Sequence, residues 1–180
     1  MDDVLVAARG ALVGERTRLR ELRDDDLPRL VPWWRDPDVA VFNNQVKPQP
    51  DALVEDTLRG WSRNDTPGSA AFCIETLDGE LAGHVALFGA EAQHRCATFG
   101  IFLDPARLGQ GLGSDATRVM VRYGFETLGL HRIELTVSAL NARGIAAYEK
   151  AGFAREGLLR RKLFYAGAFR DQVVMGIVAP

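Results

Sequence analysis

Three glycines alternate over five residues in Leu108-Gly109-Gln110-Gly111-Leu112-Gly113-Ser114, and a long helical pattern begins directly behind them. Asp104-Pro105-Ala106-Arg107 stands immediately in front. Glycine has no Cβ, so such a loop can turn sharply and let backbone approach a ligand closely. The first N–H groups of the helix have no intrahelical partners and point at the loop. Together with the positive end of the helix dipole they make an anion site suited to phosphate. A plain connection, or a helix start needing tight packing, would use the same residues, so the flanking chain has to decide.

Before the loop, Arg16 to Arg23 alternates polar and apolar, as an edge strand with one wet face does. Asp24-Asp25-Asp26 offers capping carboxylates to a helix carrying Leu27, Leu30, Val31 and Trp34; Pro32 weakens its end and Asp36-Pro37 closes it. A loop is expected over Val39–Pro50, with Phe42, Asn43 and Asn44, then a second helix opened by Asp51, with Leu53, Val54, Thr57, Leu58 and Trp61 as its apolar stripe, and ended by Asn64-Asp65-Thr66-Pro67-Gly68. Ser69–Leu77 and Leu81–Phe88 face each other across Asp78-Gly79, a strong hairpin signal. A third strand, Cys96–Leu103, runs to the glycine loop, and Gly100 within it marks a bulge or a close approach. After the loop helix come a strand over Arg132–Val137, a helix capped by Asn141, and strands around Phe153–Leu158 and Phe169–Val178. The order β-α-α-β-β-β-α-β-α-β-β predicts an α/β mix on a largely antiparallel sheet, in one domain over residues 1–180 with a loose lead-in to about Gly14.

Hydrophobic residues at 47% and charged residues at 26% suit an ordinary globular chain, and a net charge of −2 gives no footprint for nucleic acid. Arg160-Arg161-Lys162 reads as a solvated strand end. Cys73 and Cys96 sit in strand-like runs as free thiols, which suits a reducing cytoplasm. No apolar run approaches membrane-helix length, and acids at the front of Met1–Gly10 argue against a signal peptide. His84, His94 and His131 are scattered and no cysteines are spaced for zinc, so no metal is expected. Gly111-Leu112-Gly113-Ser114-Asp115-Ala116 fits a dinucleotide fingerprint, but the charged insert before it and the antiparallel hairpin upstream do not belong to a doubly wound unit.

The chain resembles the GNAT superfamily of acetyl-CoA-dependent N-acetyltransferases, in particular the branch typified by RimJ and RimL. Thr17-Arg18-Leu19-Arg20 with Trp34-Arg35-Asp36-Pro37 carries the likeness, as do the glycine loop, Ile133–Val137 leading to Asn141, and Ala147–Phe153. Gly157 to Arg161, Gly167 and Asp171 complete it. The resemblance implies a twisted, largely antiparallel mixed sheet of about seven strands with about four helices, splayed between the fourth and fifth strands. Coenzyme A would thread that splay. Backbone of Phe102 and Leu103 would pair with the pantetheine amides, and amides of Gln110, Gly111, Leu112, Gly113 and Ser114 would hold the pyrophosphate beside Leu108 and Gly109. One member departs from the family pattern: Leu108 stands where arginine or glutamine is usual, and the arginine sits at Arg107. Asn141 would cap its helix and touch the cofactor, and a homodimer follows by analogy with the branch.

Acetyl transfer from a thioester to an amine needs a neutral amine, a stabilised carbonyl oxygen and a proton for the departing sulfur. By analogy Tyr148 is the general acid and also touches the cofactor. Glu134 is the preferred base, with His84, Glu75 and water as alternatives; as a strand salt-bridge partner Glu134 would have no such role. Acceptor recognition falls to the Val39–Pro50 loop and the Phe164–Ala168 turn, with Trp33, Trp34, Phe42 and Trp61 as aromatic candidates. The acceptor is a protein N-terminal amine or a small-molecule amine. A non-catalytic acyl-CoA sensor on the same fold is the alternative.

Overall fold

The computed structural model describes residues 10–40, 42 and 47–180. Among these the elements are β1 (Thr17–Arg20), α1 (Leu27–Arg35), α2 (Pro37–Ala40), α3 (Asp51–Trp61), β2 (Ala70–Thr76), β3 (Leu81–Glu91) and β4 (Cys96–Leu103), followed by α4 (Leu112–Glu126), β5 (Arg132–Ser138), α5 (Ala142–Lys150), β6 (Ala154–Tyr165) and β7 (Ala168–Val178). The strands form one seven-stranded sheet in the order β1-β2-β3-β4-β5-β7-β6. Every neighbouring pair is antiparallel except β4 with β5. This is the expected mixed α/β architecture, with the short α2 as an extra helix. No described helix is long and apolar enough to cross a membrane.

Strand side chains alternate between the two faces of the sheet. On one face Phe99, Ile133, Leu135, Val137 and Met175 join Leu112, Ala116, Val119 and Met120 of α4 and Ile145 of α5 in the larger core. On the other, Cys73, Leu81 and Phe102 pack against Leu27, Leu30 and Trp34 of α1 and Val54 and Leu58 of α3. The sheet therefore separates two apolar layers, and β4 and β5 meet between them.

Several local expectations change. The stretch assigned to loop begins as α2, because Asp36 caps it through the Asp38 amide (2.9 Å) and Pro37 suits a first helical position. Asn43 and Asn44 lie outside the described residues, as does the lead-in up to residue 9. From Gly10 onward the lead-in is tied down. Val13 bridges Arg18, and Arg122 donates to the Gly10 and Val13 carbonyls (3.2 and 2.8 Å). The buried Asp115 carboxylate accepts the Glu15, Arg16 and Thr17 amides (3.2, 3.0 and 2.9 Å) and the Thr17 hydroxyl (2.8 Å). Gly14 stands so close to that carboxylate that a Cβ there would collide with it.

The penultimate strand does not end near Leu158. It runs on to Tyr165, and Arg160-Arg161-Lys162 sits inside it at a register break between Leu159 and Leu163, with Arg161 at φ 55°. A bulge and a cluster of cations are a common guard for an edge strand. A triplet that reads as a strand end is the middle of a long hairpin, since a bulge interrupts the period without ending the pairing.

Candidate active site

Parallel pairing of β4 with β5 lasts for only three positions, Cys96 with Arg132, Ala97 with Ile133 and Thr98 with Glu134. Beyond them both strands continue, β4 to Leu103 and β5 to Ser138, without bonding to each other. β4 stays paired to β3 along that length. The Asp104 amide donates to the Ala82 carbonyl (2.9 Å), which fixes the parity of the ladder. Phe102 and Gly100 therefore turn their backbone groups to β3, while Ile101 and Leu103 present theirs to the gap. Of the expected pair, Leu103 has its backbone on the gap. Phe102 does not; it offers its side chain instead. Unpaired backbone groups next to an apolar core need a partner, and an extended amide-bearing ligand supplies one as an added strand would.

The glycine loop closes one end of the gap. Gly111 takes a left-handed conformation (φ 80°) as the N-cap of α4 and contributes no side-chain cap. The first backbone bond into the helix runs from the Asp115 amide to the Gly111 carbonyl (3.1 Å), which leaves the amides of Leu112, Gly113 and Ser114 without intrahelical partners. Gly113 is small for another reason: a Cβ there would come within 3.0 Å of Leu103 Cδ1, so the helix start can lie directly on the end of β4. Leu112 points inward and is buried.

α5 forms the other wall. Asn141 caps it, Oδ1 accepting the Gly144 amide at 2.8 Å, and a Cβ on residue 144 would collide with that capping side chain. Seven residues on, about two turns, Tyr148 packs its ring edge-on to Phe99 (centroids 5.9 Å apart) and against Phe153. Burial pushes its phenol up to about 12, so the hydroxyl stays protonated throughout the neutral range.

These walls enclose a cavity of about 430 Å³ that passes through the sheet. Phe102, Leu103, Leu108, Gly109, Gly111, Gly113, Ser114, Asn141 and Tyr148 all line it; Gln110, Leu112 and Glu134 do not. The volume is that of an ordinary small-molecule site. On the face opposite α4, Asp38, Phe42, Phe88, Thr98 and Gly100 reach the same cavity. Phe88 lies across Gly100, its ring 3.1 Å from where a Cβ would stand, which is the close approach expected at that glycine. Nothing local in the sequence distinguishes Asp38 or Phe88 from other surface residues; only the sheet brings them to the gap. The tryptophans behave differently. Trp34 packs edge-on to Trp61 and Phe102 in the second core, and Trp61 stacks on Phe88, so they back the site without lining it.

None of the three candidate bases is placed for that task. Glu134 lies where β4 and β5 are still paired, and it accepts from Arg132 Nε (3.3 Å). Burial pushes Glu75 up, but the Arg20 and Arg18 guanidiniums outweigh it and hold the carboxyl below its usual range. His84 is 1% exposed, within 3.0 Å of Ser62 Oγ and beside Phe102. Its burial outweighs the nearby Asp26 charge and lowers the imidazole to about 4, so it stays neutral. An unfolded histidine titrates near 6.5, so the stabilisation from keeping His84 neutral is complete above that pH and is lost as pH falls from about 6.5 towards about 4. Urea unfolding should show a loss of roughly 2 kcal/mol between pH 7 and pH 5, which is absent in His84→Gln. Equal slopes in both proteins would contradict the buried neutral state.

A profile of the acetyltransferase (GNAT) domain matches residues 16–154. The chain belongs to the GNAT acetyltransferases. Among GNAT relatives, the spermidine N(1)-acetyltransferase of Escherichia coli K12 is 38% identical over 106 residues, 59% of this chain and 56% of that protein. The chain thus spans somewhat more than half the length of the first curated relatives it matches. YdaF of Bacillus subtilis, whose name proposes a ribosomal N-acetyltransferase, is 28% identical over 163 residues, 89% of this chain and 84% of its own. The crystal structure of a Vibrio cholerae spermidine N-acetyltransferase with CoA and spermine superposes with a TM-score of 0.81 at 25% identity, covering 90% of this chain and 95% of that one. The GNAT fold is therefore shared over nearly the whole length.

Proposed function

We propose that the chain transfers the acetyl group of acetyl-CoA to a primary amine by direct attack in a ternary complex. One observation carries this reading: a free strand edge and an uncapped helix N-terminus stand at two parts of a single cavity. Their chemistry matches the two halves of the donor, amides along an arm and a pyrophosphate at its end. Acetyl-CoA supplies a reactive thioester. Ile101 and Leu103 hold the arm extended, and the amides of Leu112, Gly113 and Ser114 hold the phosphates. The Tyr148 hydroxyl keeps a proton for the sulfur as the carbon–sulfur bond breaks and the carbon–nitrogen bond forms. The proton lost by the amine passes to water, since Glu134, Glu75 and His84 are each held away or engaged.

For the acceptor, the reading is a small cationic amine, supported by one carboxylate in a cavity that Arg143 and Lys150 also line from α5. Asp38 has no cationic partner among the described residues, and it shares the cavity with the aromatic rings of Phe42 and Phe88. A carboxylate beside π faces suits an alkylammonium. Spermidine and spermine, bound or acetylated by relatives, belong to that class. The test is CoA thiol release from acetyl-CoA with spermidine, a simple monoamine and a peptide with a free N-terminus. Release fastest with spermidine, and unchanged in Glu134→Gln, supports the reading. A preference for the peptide would move the chain to the RimJ/RimL acceptors. Tight CoA binding with no release from any amine would leave the sensor alternative.

A further inference from the structure

The family resemblance expects a side chain on the phosphate loop that Leu108 cannot supply, and the helix start adds a second electrostatic difficulty. Asp115 places a buried carboxylate in the first turn of α4, next to the amides read as the phosphate cradle. Arg118 already pairs with that carboxylate, so a further cation at this end would act on the pyrophosphate itself. Arg143 and Lys150 line the cavity from α5, while most arginines at the start of α4 are already engaged. Arg118 pairs with Asp115 (3.1 Å) and Glu15 (3.7 Å), and Arg122 holds the Gly10 and Val13 carbonyls. Arg107 is shared between Asp104 and Glu80, both at 3.7 Å.

Arg16 is different. Its amide is fixed to Asp115 Oδ2 (3.0 Å), which anchors its stem on the first turn of α4. Its Cδ and Nε lie 3.7 Å from the point where a Cβ on Gly111 would stand, so the side chain runs along the cap of the helix. It is exposed, stands beside Gly111 at the rim and not in the cavity lining, and has no carboxylate partner among the described residues. We propose that Arg16, delivered from the turn before β1, is the side-chain cation of the pyrophosphate site and replaces the one absent at Leu108. This rests on the reading of the glycine loop as the pyrophosphate cradle of acetyl-CoA. Arginine suits the role, because its planar fork can donate two bonds to phosphate oxygens. It also explains why the lead-in is tied so firmly to α4: the same contacts that fix the chain aim its arginine.

The test compares two donors, acetyl-CoA and S-acetylpantetheine, which lacks the phosphates. Arg16→Ala should raise the KM for acetyl-CoA about tenfold or more, with kcat at saturation unchanged and kcat/KM for S-acetylpantetheine unchanged. Arg16→Lys should recover much of the loss as a point charge without the fork. An unchanged KM for acetyl-CoA in Arg16→Ala, or an equal loss on both donors, would overturn the assignment. Gly111→Val separates the two levels. If it raises the KM for acetyl-CoA while Arg16→Ala does not, the Arg16 role alone falls. If neither substitution matters, the phosphate reading of the loop falls with it.

Discussion

Tyr148→Phe is expected to lower kcat about a hundredfold while leaving acetyl-CoA affinity within about a factor of two, since positioned proton transfer is worth that order. The ring supplies packing, edge-on to Phe99 and against Phe153, and phenylalanine keeps it. What is lost is the hydroxyl, the one group of that side chain able to donate to a departing sulfur. Because burial holds the phenol near 12, the tyrosine is protonated at every pH from 6 to 10. The deficit should therefore be constant across that range, and a pH–rate profile displaced downward without change of shape is the expected signature. A well-folded variant with parental turnover would remove Tyr148 from the chemistry.

Gly111→Val is expected to weaken CoA binding about a hundredfold or more, read by calorimetry. Gly111 sits at φ 80°, where a β-branched residue is strongly disfavoured at a cost of order 1–3 kcal/mol. The chain would relieve that strain by rotating the cap, which turns the amides of Leu112, Gly113 and Ser114 away from a common point. A cradle made of backbone depends on that convergence, since it has no side chain at Gly111 to compensate. The new Cβ would stand in ordinary contact with the Arg16 stem, 3.7 Å away, so the effect comes from the backbone and not from crowding there. Affinity equal to the parent would mean that no anion is held there.

The parts of the fold legible in the sequence were those with local physical causes. Asp78-Gly79 marks the β2–β3 hairpin because a turn needing positive φ wants glycine, and Gly79 takes φ 95°. Asn141 announces the start of α5 because a cap bonds within three residues. The mixed sheet with its splay came from the family resemblance, as periodicity does not reveal where two strands part. Which backbone groups face that gap depends on strand pairing; Phe102 and Leu103 look equivalent in sequence, yet only Leu103 turns its backbone to it. Glu134 carries the right chemistry, but register leaves it where β4 and β5 are still joined. The full length of β6 is not legible in the sequence because a bulge at Arg161 breaks the alternation that would show it. Asp38 reaches the cavity from an element far away in the chain, and no spacing rule connects it to β4 or α5.

The central claim is that the donor's arm lies as an extra strand against β4 and its phosphates sit on the start of α4. Amide hydrogen exchange with and without CoA tests this residue by residue. The amides of Ile101 and Leu103, together with those of Leu112, Gly113 and Ser114, should be slowed by CoA, whereas Phe102, already bonded to β3, should change little. Protection confined to other parts of the sheet, with these five amides exchanging as fast as in the free protein, would contradict the account.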